Sequence, residues 1–364
     1  MPSYEIVITD AFGDRLLVPR DWERLDYARV ENDYAPLSLI LPAHYARAEL
    51  PKDGGIEVWR DGKLQLETVY LMRDWVKIPH GRAWRWQVTA YDLNYLLTGR
   101  TIDYAADSAQ SKKSADQADD MMKAIVRENF TTATDTTRRI NTYLSVEADA
   151  GLAQSVTKAF ANRPVLNVLK DLAQMSFQLG TYLVFDAVAK SLSTQPRYEF
   201  RTYINQRGYD LRTGQQFALV GPAFGNVAAA RVEESASGEV TRVIAGGQGT
   251  GAARTYGRST ESARLNDSPF ALRELFINAS QVDLTASELQ DEARAHLKTR
   301  RSVKRFTGEL LSTPGFAYGR DWGWGDRLTA QVYDDSFDCR INAIRISVTQ
   351  AQGEEVRASL KGEL

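Results

Sequence analysis

The chain has 364 residues, 43% apolar and 25% charged, with 45 Lys+Arg against 47 Asp+Glu for a formal net charge of −2. That length exceeds one ordinary hydrophobic core and predicts two or three domains, while the near-neutral balance excludes a protein built to grip phosphate backbones, which needs a basic face. A single cysteine, Cys339, excludes a disulfide framework or a cysteine zinc site within one chain.

Taken in chain order, Met1-Pro2-Ser3-Tyr4-Glu5 lacks the basic segment of a secretory signal, and residues 6–8 are too short for its apolar segment, which predicts synthesis in a cytosol. No window approaches the roughly 20 apolar residues of a membrane span. Residues up to about 100 read as antiparallel β. Asp61-Gly62, between residues 56–59 and 64–67, is a strong hairpin signal, and a second turn falls near Pro79-His80-Gly81. Trp84, Trp86, Val88 and Ala90 then alternate with Arg85, Gln87 and Thr89 at the period of a half-buried strand. Asp92 caps a helical turn over residues 92–97. Large rings closing a small barrel account for the tryptophans without a ligand.

Residues 101–194 change character. A polar loop over residues 111–120 contains a Ser114/Gln117 capping box ahead of Met121, Met122, Ile125 and Val126. A second helix starts near Pro164, with an apolar stripe of Val165, Leu166, Leu169, Leu172, Ala173 and Phe177, and ends at Gly180. Strands at 182–185 and 198–200 follow, which makes this stretch an α+β insertion.

The last third begins near Val240 with Val243-Ile244-Ala245-Gly246-Gly247-Gln248-Gly249-Thr250-Gly251-Ala252-Ala253-Arg254. A phosphate-gripping loop leads straight into a helix whose free N–H groups and dipole face the anion. Here Arg254-Thr255-Tyr256-Gly257-Arg258-Ser259 has no helical period, and no Gly-Lys-Ser/Thr follows. The glycines are instead expected to supply positive φ, in at least one of Gly247, Gly249 and Gly251, or close backbone approach. Thr285 with Glu288 opens a helix carrying Leu289, Ala293 and Leu297. Its basic end, Lys298, Arg300, Arg301, Lys304 and Arg305, is expected to face a protein neighbour or solvent, because helix C-termini favour cations and no aromatics interleave for base stacking. Residues 306–311, 327–333 and 337–348 read as strands, the last reversing its apolar parity at a bulge near Asn342-Ala343. Lys361-Gly362-Glu363-Leu364 reads as a chain end rather than a retention signal.

The order of these features resembles the tail-hub proteins of long-tailed phages. Gly247, Gly249, Gly251 and Arg254 match that family's glycine-rich strand exit. Arg273, Glu274 and Phe276 match its following Arg-Arg-Glu-x-Phe strand, with Leu272 in place of the first arginine. Asp321, Trp322, Gly325, Asp326 and Thr329 match a later Asp-Tyr-Asp-Leu-Gly-Asp-x-Val-Thr strand, with Gly323-Trp324 replacing Asp-Leu. Tyr91, Asp92, Leu96, Leu97 and Arg100 sit where the family's first barrel ends. The resemblance implies a β-rich α+β fold of two β-barrel-like domains, similar to each other in fold. The first would take residues 1–100 plus 195–238, and an α+β inserted domain residues 101–194. The second barrel would take 239–364, with a helical excursion at about 285–304. It implies a structural component of the virion's tail tip, made in the host bacterial cytoplasm. A homotrimeric hub ring would join the tail tube or a distal tail protein above to a tip or fibre protein below. DNA would pass without specific binding, through a lumen lined by acidic or neutral side chains.

No catalytic, cofactor-binding or metal-binding residue is predicted. Asp334, Asp335 and Asp338 lack calcium-loop spacing and fit a turn between strands. His44, His80 and His296 have no triad or metal-ligand partner in sequence, and Cys339 sits in an alternating strand as a small hydrophobe. The chain ends where the hub of the family would end, ahead of any lysin extension. The competing readings are a tail-borne peptidoglycan hydrolase and a carbohydrate-binding β module using Trp322 and Trp324 as a stacking platform.

Overall fold

The computed structural model describes residues 2–102, 112–159, 163–191, 194–213, 217–280 and 284–363. The alternating apolar positions of both ends of the chain lie on one antiparallel sheet. Thirteen strands belong to it. Its main path runs Val227–Ser235, Val303–Leu311, Gly353–Glu363, Asp335–Thr349, Arg24–Val30, Pro36–Pro42, Ala83–Asp92, Lys63–His80, Gly55–Arg60, Tyr4–Thr9 and Arg15–Leu17. Leu25, Leu39, Val88, Phe306, Phe337, Ile346 and Leu360 are fully buried in one core beneath it. The Asp61-Gly62 turn joins its strands with both residues at positive φ, 53° and 72°, the twist-matched geometry of a two-residue hairpin.

The first eight strands of this path fall into two halves with one topology. In Val227–Ser235, Val303–Leu311, Asp335–Thr349 and Gly353–Glu363, the fourth strand in sequence lies between the second and the third. Arg24–Val30, Pro36–Pro42, Lys63–His80 and Ala83–Asp92 repeat that order. In each half the third strand is the long one and is bulged, at Met72/Asp74 and at Ile341/Ala343. Before the bulge each takes an extra hairpin partner, Gly55–Arg60 or Arg327–Val332. After its bulge, Asp335–Thr349 pairs with Arg24–Val30 and so fuses the halves. The matching stretch of the other half, residues 73–80, has a ladder on one side alone, to Ala83–Asp92.

Two smaller units attach. Helices Ala118–Val126 and Val165–Gln178 pack with the sheet Leu183–Ala189, Tyr198–Ile204, Leu144–Val146 around a second core that includes Met121, Leu169, Phe185 and Phe200. Helix Ala286–Thr299 covers one face of the sheet Tyr256–Thr260, Arg242–Gly246, Glu274–Asn278 through Leu289, Ala293 and Leu297. Its capping box is closed as expected, by Thr285 N–H to Glu288 Oε2 (2.8 Å) and Glu288 N–H to Thr285 Oγ1 (3.3 Å).

Several local readings need correction. Ser114 and Gln117 form no capping box: Ser114 lies in the strand Lys112–Gln117, paired with Ser155–Ala159, and Gln117 makes no side-chain cap. The helix start is instead tied down by Asp119 and Asp120, which accept N–H bonds from residues 150–153. Phe177 leaves the apolar stripe and is 39% exposed, set edge-on against Tyr182. Residues 195–238, expected with the first barrel, divide by pairing. Tyr198–Ile204 joins Leu183–Ala189 in the inserted unit, and Val227–Ser235 joins Val303–Leu311 in the C-terminal half.

Candidate functional site

The glycine-rich strand exit is a packing device. Gly249 and Gly251 hold φ of +96° and +56°, where a side chain is strained. A Cβ at Gly247 would stand 2.9 Å from Leu289 Cδ1, and one at Gly257 would stand 2.2 Å from the backbone of Leu289 and Gln290. Glycine therefore lets the helix lie directly on the sheet. Arg254 ties the loop shut, its Nε donating to Gly247 O and its Nη2 to Gly246 O, both at 3.0 Å, with Asn278 Oδ1 as a further acceptor. The same guanidinium sits 5.2 Å over the Phe276 ring. The stretch Gly251–Ala253 is a single 3-10 turn, and the chain then enters the strand Tyr256–Thr260 rather than a helix.

Arg273 contributes backbone, exchanging bonds with Thr241, and Glu274 pairs with Arg242 at 3.2 Å. Phe276 is half exposed on the uncovered face of this sheet, beside exposed Phe270 and Leu272. The matched residues of this segment thus build a small, stiff platform with an aromatic outer face.

The second matched segment turns inward. Asp321 accepts from Ala317 N–H at 2.7 Å. Trp322 is 3% exposed and donates to Phe316 O, and Trp324 is 5% exposed. Neither ring offers a sugar a stacking face. Gly325 takes φ +81°. Asp326, which is buried, accepts from Tyr209 N–H and Gly323 N–H at 2.6 Å each. Burial pushes its carboxyl up, against the pull of those donors. Thr329 pairs with Leu219.

Around Trp324 lies an ionic network that the sequence reading did not collect. Arg29 is 1% exposed; its guanidinium meets Asp92 at 3.0 Å and Asp186 at 2.6 Å. Asp186 also takes Arg207 at 3.0 Å. Both guanidiniums stand over Trp324, at 4.8 and 4.4 Å. Asp92, read as a cap, does accept Asn94 N–H, and it accepts Ala35 N–H besides. Burial pushes its carboxyl up to about 7, with Arg29 opposing and Asp186 adding. This network locks the inserted unit to both halves of the large sheet. One signal was available: Arg29 shares the inward parity of Leu25 and Tyr27, and Asp186 interrupts the apolar run Leu183–Ala189.

The remaining candidates are occupied structurally. Asp335 pairs with Lys304, and Asp338 with Arg327 and Arg212. Burial, which would raise Asp338, is outweighed by the hydrogen bond from Arg327, which holds it below the usual carboxylate range. His44 and His296 each sit 3.6 Å from one carboxylate, of Asp21 and Glu292. Among the described residues no group of three His, Cys, Asp or Glu side chains could hold a metal ion, and no helix is long and apolar enough to cross a membrane.

Comparison with known proteins places this architecture. The family described as "Siphovirus ReqiPepy6 Gp37-like protein" matches residues 5–360. Among solved structures, the tail protein from Neisseria meningitidis MC58 superposes with a TM-score of 0.58 at 12% identity, covering 99% of this chain and 96% of that one. The 43 kDa tail protein of prophage MuSo2 from Shewanella oneidensis gives 0.58 at 13% identity, with 98% of each chain covered. Prophage tail protein gp18 from Listeria monocytogenes EGD-e gives 0.55 at 10%, covering 98% and 94%. No curated protein matches the chain in sequence. The fold is therefore one shared with phage and prophage tail proteins, and it is β-rich α+β.

Proposed function

The chain belongs to the Siphovirus ReqiPepy6 Gp37-like protein family, and from that premise we propose that it is a structural, non-enzymatic component of a virion's tail tip, three copies closing into a hub ring. One observation carries the reading: the run of eight antiparallel strands ends in two edges that have no further strand partner among the described residues, Val227–Ser235 and residues 73–80. A free edge is a template for another strand. An even number of alternating strands leaves the two edges antiparallel when one copy follows another head to tail, and such an interface closes into a ring when its rotation allows.

The chain carries a template for that junction. Inside it, the post-bulge stretch of one half pairs with the first strand of the other, residues 343–349 with Arg24–Val30. Between copies, the equivalent partners are residues 73–80 and Val227–Ser235. Three chains would then present six related units, which is also the proposal for the domain division: each four-strand half is the wall of one barrel. Beside the Val227–Ser235 edge a hollow of about 790 Å³ is lined by Phe224, Val227, Ala230 and Tyr333. Phe224 is 52% and Tyr333 95% exposed, apolar surface of the kind an interface covers.

The face of the run away from the core carries Arg24, Asp26, Ser38, Gln87, Thr89, Ser347, Glu355 and Arg357. Arg24 pairs with Asp26, and Arg357 with Glu355 and Glu309. It also carries Arg345, so a lumen built on this face would be mixed in charge rather than acidic or neutral, with Arg24 and Arg357 matched by neighbours and Arg345 in no ion pair among the described residues. As a lumen wall with most of its cations matched it would release few of the counterions whose release holds DNA. Tail tube or distal tail protein above and tip or fibre protein below complete the proposed assembly.

Native mass spectrometry and cryo-EM class averages test this. The wild type should be a ring of three, and Val76→Asp with Val232→Asp, one exposed valine on each edge, should give monomers with unchanged circular dichroism. A wild type that stays monomeric at assay concentrations, or turnover of peptidoglycan by that monomer, overturns the ring.

A further inference from the structure

Two side-chain latches close the junction between the two halves of the chain. On the face away from the core, Ser347 Oγ donates to Asp26 Oδ1 at 2.6 Å across the strand pairing. On the core face, Glu354 takes the Arg60 guanidinium at 2.7 Å and accepts from the Tyr4 hydroxyl. That ion pair is largely shielded, Glu354 being 9% and Arg60 14% exposed.

Ladder positions carry these four residues onto the run's two outer edges. Counting from the first pair beyond each bulge, Ala343 with Ser359 and Asp74 with Thr89, Ser347 corresponds to Ile78 and Val348 to Pro79. Pro79 lies opposite Trp84 as Val348 lies opposite Glu354, so Trp84 is the counterpart of Glu354. Arg60 and Val332 each end a strand at a two-residue turn, paired with Lys63 and Asp335, so Val332 is the counterpart of Arg60. Leu25 and Asp26 pair with Leu39 and Ser38, and Val227 and Ala228 pair with Leu310 and Glu309 at the same ladder positions. Every polar member of the two latches is therefore apolar at the outer edges: Ser347 becomes Ile78, Asp26 Ala228, Glu354 Trp84 and Arg60 Val332. Trp84 shares the core-facing parity of Trp86 and Val88, yet is 55% exposed. Val332 and Val227, the residue that Pro79 would face, line one hollow of about 790 Å³ together with Phe224 and Tyr333.

We propose that Trp84 of one copy seats in this hollow of the next, against Val332, Tyr333 and Phe224, with Ile78 beside the neighbour's Ala228 on the other face. The occupant is a second copy of this chain; the inference rests on the ring reading and adds to it the register of the junction and its anchor. The change from polar to apolar latch has a physical reason. An ion pair shielded between two separate chains must first strip water from both charges, and its attraction repays that only in excellent geometry. Within one chain the fold supplies that geometry. Between chains, a large ring entering an apolar hollow gains from each square ångström it covers, and buried tryptophans are frequent anchors of such contacts.

The test uses the full-length chain. By native mass spectrometry over a dilution series, Trp84→Glu should weaken each junction about thirtyfold or more, the loss of a central aromatic anchor, with circular dichroism unchanged. Hydroxyl-radical footprinting of the wild-type trimer should find Trp84 and Tyr333 shielded, and of the dissociated W84E protein should find Tyr333 open. Under oxidation, Ile78→Cys with Ala228→Cys should link copies into a covalent band of three, because directly opposite Cβ atoms lie about 4.5–5.5 Å apart. Ile78→Cys with Val227→Cys, one step out of register and pointing to opposite faces, should not. A trimer that is indifferent to W84E, keeps Trp84 open to the radical or links only through the second cysteine pair overturns the seat alone, and the ring then stands with its hollow left to another occupant. A wild type that stays monomeric overturns the ring and the seat with it.

Discussion

Replacing Arg29 by methionine probes the junction that holds the inserted unit in place. The side chain is 2% exposed and contacts Asp92, Asp186 and the Trp324 ring. Removing one partner of a buried pair leaves an uncompensated charge and costs about 3–5 kcal/mol. Here Asp186 keeps Arg207 at 3.0 Å, and Asp92 keeps two backbone N–H donors at 2.9 and 3.1 Å. The loss should therefore sit near the lower end, about 3 kcal/mol, with the contact over Trp324 adding up to about 1. Against a net stability of about 5–15 kcal/mol that is a large fraction. Urea unfolding followed by tryptophan fluorescence measures it, and hydrogen exchange over Leu183–Ala189 locates it. A second signature follows from the carboxyls. At pH 5 Asp92, with its pKa of about 7, is protonated in the wild type, so the pair is weaker there and the mutant's deficit should shrink. Arg29→Met with Asp92→Asn should recover part of the loss at pH 7.5. A deficit below about 1 kcal/mol, the scale of an exposed pair, or one that does not change with pH, would refute this account.

Gly257→Ala should loosen helix Ala286–Thr299 by about 1–3 kcal/mol of overpacking, seen as faster exchange in that helix with residues 337–348 unaffected; Gly251→Ala, with open space around it at φ +56°, should cost about 1 kcal/mol from backbone strain alone. Burial pushes Glu31 up to about 7, against the hydrogen bond from Tyr182. A raised carboxyl pKa means the native state holds the proton longer than the unfolded chain. Its stabilisation is complete below the unfolded pKa of about 4.5 and fades as pH climbs through 7. Melting temperature should thus fall between pH 5 and 8, less steeply in Glu31→Gln. The Cys339 thiol is buried and pushed up to about 12, burial being the main cause; iodoacetamide should label it only as the large sheet unfolds, at the rate of the global transition.

Much of the local structure was legible because its causes are local. Asp61-Gly62 forced a hairpin, Thr285 and Glu288 closed their box, and opposite parities in residues 337–348 required the bulge found at Ile341/Ala343. Gly249 and Gly251 took the left-handed backbone expected of at least one loop glycine. What escaped depends on partners far away in sequence. Nothing in Val227–Ser235 says that its neighbour is Val303–Leu311, and Tyr198–Ile204 looks alike whether it joins a barrel or the inserted sheet. Ser114 reads as a helix cap until pairing with Ser155–Ala159 draws the stretch Lys112–Gln117 into a strand. The ionic network was missed for the same reason. Its members come from residues 29, 92, 186 and 207; parity marks Arg29 and Asp186 as inward-facing charges, but only the topology brings them together round Trp324.

The fusion of the two halves also sets a timetable. Arg24–Val30 leaves the ribosome early, yet its sheet partner includes Ser347, which is 321 residues beyond Asp26 in the pair they make. Contacts so distant in sequence form late and slowly. Val227–Ser235 likewise waits for Val303–Leu311 before it is an edge at all. A nascent or truncated chain therefore cannot offer both ends of the eight-strand run. In the proposed ring, therefore, only a finished polypeptide has two complementary margins to present, and an aborted one, with residues 73–80 alone, could dock at one side at most.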